Sequence, residues 1–338
     1  MKFRVVVALT AIALTLTACS STEEKKADPK ANERDSAKLV ERSPLTGLAL
    51  KNGLPENPVF VVKVENTDNG APQYGLNKAD LVFEELVEGG LTRLAALYYS
   101  NLPSKVGHVR SMRATDIGIA GPVNGQIVAS GGANGTYRRV KSAGIKVISE
   151  DRGAPGFSSD PSKVRPYNRL INLQTLAKKA KATSIRGNYL PWLTTPAKAT
   201  PTPSAGTPAS KTATKLDVGF SNSTHTRWVL RGGTWQRTNG HAASGQDFKA
   251  DTLLILYAKV GNAGYLDPAG NTVPETIFEG SGRAMLLHGN TVTDATWNKK
   301  SLKQQIKLAG KDGKPISVNP GRVWIELVPR DGGSVKIG

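Results

Sequence analysis

Five charged residues in the first half of the chain have the types and spacing of a polar site: Glu84, Glu88 and Arg93, then Arg110 and Arg113. Gly89-Gly90 stands between two strand-like runs, Asp80–Glu88 and Leu91–Tyr99, and predicts a two-residue hairpin turn. In that register Leu86 faces Arg93, and period-2 alternation puts Glu84, Leu86, Glu88 and Arg93 on one face. A guanidinium diagonal to two carboxylates, roughly 7–8 Å away along the backbone, can bridge both. Such a cluster would anchor a ligand or supply an acid and a base. As an exposed cross-strand ladder it would contribute under about 1 kcal/mol. Val109-Arg110-Ser111-Met112-Arg113 reads as a helical turn with Arg110 and Arg113 at i and i+3 and Asp116 next along the same face. Two guanidiniums so placed grip a carboxylate or phosphate through paired N–H donors, or simply form a solvated basic face.

Other chemistries find less in the sequence. Ser130-Gly131-Gly132-Ala133-Asn134-Gly135 matches neither a P-loop nor a dinucleotide fingerprint, and reads as a tight turn or a weak anion cradle. The four histidines, His108, His225, His241 and His288, share no metal-ligand spacing, and no metal or cofactor is expected. No G-x-S-x-G elbow occurs. In Thr296-Trp297-Asn298-Lys299, Trp297 beside Lys299 would stack on a sugar at a strand edge or pack into a core.

The elements expected to carry these residues fall into two segments. Residues 43–194 mix strand and helix signals: strands at Pro58–Val64 and Gln126–Ser130, a helix over Thr136–Ala143, a strand at Ile145–Ile148, and a helix over Leu173–Ala182. The strand-helix-strand run predicts a parallel pairing, and the segment an α/β domain with a mixed sheet. Residues 195–215 are rich in Pro, Thr, Ser and Ala, the composition of a linker or inserted loop. Residues 216–338 read strand after strand, with hairpin signals at Gly289-Asn290 and Asp312-Gly313, as a mostly β domain of sandwich or open-barrel type. The fold class expected is therefore mixed α+β.

The N-terminus speaks of location. Lys2 and Arg4 precede an apolar run from Val5 to Leu16, and Leu16-Thr17-Ala18-Cys19 closes it, the pattern of a lipoprotein signal at 1–18 with Cys19 as the acylated residue. The apolar run is too short for a stable membrane span. Residues 19–42 are dense in charge and poor in apolar side chains, as in a flexible tether. Cys19 is the single cysteine, so neither a disulfide nor a cysteine nucleophile is available to the folded part. The formal net charge is +18, two less once Lys2 and Arg4 leave with the signal. Outside the membrane, such charge meets anionic lipid heads and acidic wall polymers. Nucleic acid is not expected as a partner, because the chain is exported and lacks interleaved basic and aromatic residues.

These residues carry a resemblance. Asn66, Ala71-Pro72-Gln73-Tyr74-Gly75-Leu76, Ala79-Asp80, Phe83-Glu84, Val87-Glu88-Gly89-Gly90-Leu91-Thr92-Arg93 and Val109–Arg113 together resemble the YerB-like lipoprotein family. Gly240-His241, Gly280-Ser281-Gly282, Thr296–Lys299 and Val323-Trp324-Ile325 extend it more loosely towards the C-terminus. The resemblance implies an α/β N-terminal domain, a β-rich C-terminal domain and a lipid anchor, with no assigned reaction. It adds His241 and Asn168 to the candidate ligand-binding residues. The family's Pro-His-Asn-Leu-type segment is Pro166-Tyr167-Asn168-Arg169-Leu170 here, which speaks against catalysis. The expectation is a membrane-tethered binding or accessory protein at the cell envelope, holding an anionic wall polymer or a partner protein through Arg93, Arg110 and Arg113. The alternatives are a wall-glycan hydrolase or transferase using Glu84 and Glu88, and an envelope scaffold without a small ligand.

Overall fold

The computed structural model of the chain describes residues 41–194, 211–267 and 270–338. Cys19, the signal, the tether as far as residue 40 and residues 195–210 of the proposed linker lie outside them.

The frame is one twelve-stranded mixed sheet. From residues 43–194 come β1 (Phe60–Glu65), β2 (Leu81–Leu86), β3 (Thr92–Tyr98), β4 (Gln126–Ala129) and β5 (Val147–Ser149). From the C-terminal segment come β6 (Thr252–Ala258), β7 (Gly280–His288), β8 (Thr291–Lys299), β9 (Lys307–Ala309), β10 (Pro315–Ile316) and β11 (Val323–Pro329). Their order is β10-β9-β8-β7-β6-β11-β2-β3-β1-β4-β5, and Lys211–Thr212 pairs with β8 as the twelfth strand. The seam between the two segments is a parallel pairing of β2 with β11, which also runs parallel to β6 on its other side. On the far side β4, helix α2 (Asn134–Ser142) and β5 form the expected unit of two parallel strands and a crossover helix.

Period-2 alternation sorts the strands onto two faces, both covered. Val59, Val61, Leu81, Phe83, Ala95 and Leu97 pack with helix α1 (Asp116–Ala120), Val140 of α2, Tyr189 and Phe278. Phe60, Val62, Val82, Leu94 and Ala96 pack against helix α3 (Leu173–Ala177) and a second, four-stranded sheet of Lys215–Gly219, His225–Arg231, Thr234–Arg237 and Ser334–Ile337. A two-stranded arm, Val260–Leu266 with Thr272–Thr276, reaches back to the first segment. It is fastened there by a two-pronged Arg139–Glu275 pair at 2.6 Å and by a Thr136–Tyr265 hydroxyl contact at 2.7 Å. A Cβ on Gly135 would collide with the Tyr265 ring, so the arm lies against bare helix backbone.

Two sequence expectations change here. The β2–β3 connection is not a two-residue turn. Leu86 pairs with Thr92, leaving five residues between them, with Gly89 at φ +69° and Gly90 at φ +71°. The register therefore moves by one, and Glu85, not Leu86, sits opposite Arg93. A one-residue shift exchanges faces, so Arg93 shares its face with Glu85 and with Glu65 of β1, while Glu84 points the other way. Residues 109–113 are also not helical. Arg110 N–H donates to the Lys63 carbonyl at 2.9 Å and Met112 N–H to Gly131 at 3.0 Å. Donors used on neighbouring strands are not available to a helical turn.

Lys63 is the charged residue of the apolar run Phe60-Val61-Val62-Lys63-Val64, and it is fully buried. Its ammonium donates to Glu85 at 2.5 Å and Asp116 at 2.7 Å, both equally buried. The second Asp116 oxygen accepts from Arg113 N–H at 2.7 Å. Burial pushes the Glu85 carboxyl up, against the pull of Lys63. This cluster ties β1, β2 and α1 together directly behind residues 109–113. Removing one member of a buried ion pair leaves the others desolvated and uncompensated. Lys63→Met should therefore lower stability by about 3–5 kcal/mol in denaturant unfolding, and Lys63→Met with Glu85→Gln should recover part of that loss.

Candidate functional site

β1, β2, β4 and β5 run in one direction, and their carboxyl ends lie along one edge of the molecule. Crevices outside the carboxyl ends of such strands are where open α/β sheets hold ligands. A cleft of about 370 Å³ opens at this edge, within the size range of small-molecule sites. Glu65 ends β1, Val87 to Leu91 follow β2, and Arg93 starts β3. Arg110 and Arg113 enter from the extended segment, Tyr167 from the loop before Arg169–Ile171, and Asp267 with Asn271 from the arm.

Arg113 grips Glu88 with two prongs, Nε to Oε1 at 2.8 Å and Nη2 to Oε2 at 2.5 Å. Arg110 lies 3.0 Å from Glu65 through Nε, stacks 4.5 Å over the Tyr167 ring, and donates to the Pro166 carbonyl at 3.1 Å. Arg93 differs from both. It is 5% exposed, makes no ion pair among the described residues, and spends Nη1 on the Ser111 carbonyl at 3.1 Å. Its Nε is buried without a partner. Burial, reinforced by Arg113 and Arg110 nearby, brings its guanidinium down to about 10, so it still carries its charge at neutral pH. The carboxylates Glu65 and Glu88 pair with the two outer arginines, and the central one makes no ion pair among the described residues.

Of the residues singled out in the sequence, the cleft gathers Glu88, Arg93, Arg110 and Arg113. It does not gather Glu84, Asn168, His241, Trp297 or Lys299. Asn168 adjoins Tyr167 with its Oδ1 buried and unpartnered. His241 lies 3.3 Å from Asp68, and burial, with Arg237 nearby, lowers its imidazole. Trp297 and Lys299 are core residues. Trp297 donates to the Tyr257 carbonyl, and the Lys299 ammonium to the carbonyls of Ser301, Leu302 and Gln304 at 2.7–3.0 Å. Burial brings Lys299 down to about 7. Neither presents a surface for a sugar. Tyr167, Glu65, Asp267 and Asn271 were not singled out for the site. Glu65 carries a readable signal as a charged residue ending a buried strand, whereas the arm's contribution has none locally.

Glu84 is sealed inside the sheet, directly opposite Glu326 across the β2–β11 seam. One Glu84 oxygen accepts from Asn66 at 3.0 Å and Thr226 at 2.8 Å; one Glu326 oxygen accepts from Trp228 Nε1 at 2.8 Å. The other oxygen of each is buried without a donor. Burial pushes both carboxyls up; the charge of Glu84 raises Glu326 further, while a hydrogen bond with Glu326 offsets part of the rise at Glu84. Two facing buried carboxyls, both shifted upward, form a dyad that retains a proton more readily than two separate glutamates. Arg237, 1% exposed, closes the network. It donates to Asn66 at 3.1 Å, to Gln73 at 3.0 Å and to Asp247 at 2.6 Å, and lies 4.7 Å over Trp324. Glu84 and Glu88 thus serve different places and do not form one acid–base pair.

The chain belongs to the family described as "Protein of unknown function (DUF3048)". Its N-terminal domain model matches residues 45–186 and its C-terminal domain model residues 216–325. The chain is 27% identical over 343 residues to the Bacillus subtilis (strain 168) protein named "Putative lipoprotein YerB", covering 97% of this chain and 96% of that one. The crystal structure of YerB from Bacillus subtilis superposes with a TM-score of 0.70 at 22% identity, over 88% of this chain and 99% of that one. That likeness establishes the mixed-sheet fold with its two family segments.

The dyad makes stability depend on pH. Both folded carboxyls hold protons more tightly than an unfolded glutamate. As pH rises above about 4.5 the unfolded chain releases its protons first, so the fold loses stability with rising pH. Glu326→Gln keeps an acceptor for Trp228 and gives Glu84 a permanent donor. Its unfolding midpoint should fall less than the parent's between about pH 5 and about pH 9.

Proposed function

We propose that this chain is a lipid-anchored protein on the outer face of the cytoplasmic membrane, and that its cleft holds an anionic group of a cell-envelope polymer on Arg93. Anchoring through Cys19 rests on the signal pattern at residues 1–19 and on the lipoprotein name of the Bacillus subtilis relative. Among the described residues no helix is long and apolar enough to cross a membrane, so the acyl group would carry the attachment.

The observation that carries the binding assignment is the state of Arg93: a buried guanidinium with no carboxylate partner among the described residues and an unused Nε, in the wall of an open cleft. A buried donor without an acceptor costs about 1–3 kcal/mol, and an incoming phosphate or carboxylate would supply the missing acceptor. The outer arginines are held rigid by Glu88 and Glu65, so little side-chain freedom is lost on binding. A cleft of this size admits a chain or a headgroup rather than the face of a folded protein, which favours a polymer over a protein partner.

Arg93→Gln is the direct test, because Glu65 keeps Arg110 and Glu88 keeps Arg113. The variant should retain its unfolding midpoint to within a few degrees. It should bind poly(glycerol phosphate) about ten- to a hundredfold more weakly by calorimetry, the worth of one charge-assisted hydrogen-bonded contact. Binding of the parent should weaken with added salt. Equal affinity of parent and variant would refute the assignment.

A further inference from the structure

The loop that supplies Tyr167 to the cleft carries further cations away from it. Lys163 donates to the carbonyl of Asn69, a residue of the cleft wall, at 3.3 Å. Arg165 immediately precedes Pro166 and Tyr167, which receive Arg110. Arg165 and Arg169 share a single carboxylate, Glu150, at 3.1 and 3.2 Å. Arg152, two residues past Glu150, lies 3.7 Å over the Tyr137 ring. The acids of this region are otherwise engaged. Asp151 accepts from Tyr137 at 2.6 Å and Ser149 at 2.5 Å, and Asp160 is held by Ser162 and His108. Among the described residues Lys163 and Arg152 have no carboxylate partner. Arg110 contacts Pro166 and Tyr167 beside Arg165, Arg165 reaches Glu150, and Arg152 follows two residues on, so cations succeed one another from the cleft to the turn after β5.

We infer that this strip is a second anion subsite continuous with the cleft, and that the ligand is a chain of repeating phosphodiester units rather than a single small anion. The inference rests on the reading of the cleft given above and adds the class of ligand. Arg93 has the rigid, buried setting of a specific contact. Arg165, with its side chain 68% exposed, has the setting of a contact that tolerates the varied positions of a flexible chain. Two subsites joined by one ligand raise affinity through effective concentration, with no need for a strong second contact.

The experiment compares a two-unit and a ten-unit glycerol phosphate oligomer by calorimetry on the folded protein. Arg152→Gln/Arg165→Gln is the test variant, and Arg93→Gln reports on the cleft. Both strip residues are exposed, and their loss leaves Glu150 its contact with Arg169. The parent should bind the long oligomer about tenfold or more tightly than the short one. The double variant should bind the short oligomer as the parent does and lose the advantage of length. Equal binding of both lengths by the parent, or a length advantage undiminished in the double variant, overturns the strip. Unchanged short-oligomer binding in Arg93→Gln overturns the cleft reading, and a length advantage lost in the double variant alone then places the ligand on the strip without the cleft. A parent that binds neither oligomer overturns both.

Discussion

Charge buried inside a sheet that is covered on both faces must find its partner within the protein, and this constraint organises the whole molecule. Lys63 sits on one face of β1, where Glu85 and Asp116 neutralise it. Glu84 sits on the opposite face of β2, where Glu326, Asn66 and Thr226 answer it. The first cluster fixes α1 and, through Asp116, the start of the segment that carries Arg113. The second fixes the four-stranded sheet through Trp228 and Arg237. Adjacent residues of one strand thus hold the two opposite layers, and the cleft opens at the end of the same strand.

The residues by which the family is recognised divide along these lines. Asn66, Gln73, Glu84 and Trp324 belong to the sealed network around Arg237. Glu88, Arg93, Arg110 and Arg113 belong to the cleft. The same short stretch of chain, Phe83 to Arg93, supplies both groups, because alternation along a strand sends neighbours to opposite sides.

Much of this was legible in the sequence. The apolar runs marked β1 and β4 to within a few residues, and Gly289-Asn290 marked the β7–β8 turn, where His288 pairs with Thr291. The strand-helix-strand run gave the parallel pairing of β4 and β5. Charge type alone grouped Arg93 with Arg110 and Arg113, and all three line the cleft. The register of β2 on β3 was not, because two adjacent glycines fit a two-residue turn and a five-residue loop equally well, and one residue of slip reassigns every side chain. Helix α3 ends at Ala177 although its sequence pattern runs on to Ala182, since residues beyond Leu176 have little core to pack against. The parallel seam of β2 and β11, separated by more than two hundred residues, has no local signal at all.

That seam has a consequence for how the molecule comes into being. Strand β11 follows β2 and β6 in the chain, yet it lies between them in the sheet. A chain that emerges N-terminus first, from a ribosome or through a membrane pore, therefore carries two unmatched strand edges until residues 323–329 arrive. Loop closure over so long a span is slow, and bare edges invite pairing with other chains. The sheet depends on residues 323–329 to cover both edges, and a premature stop before Val323 would leave two sticky half-sheets rather than a smaller working protein.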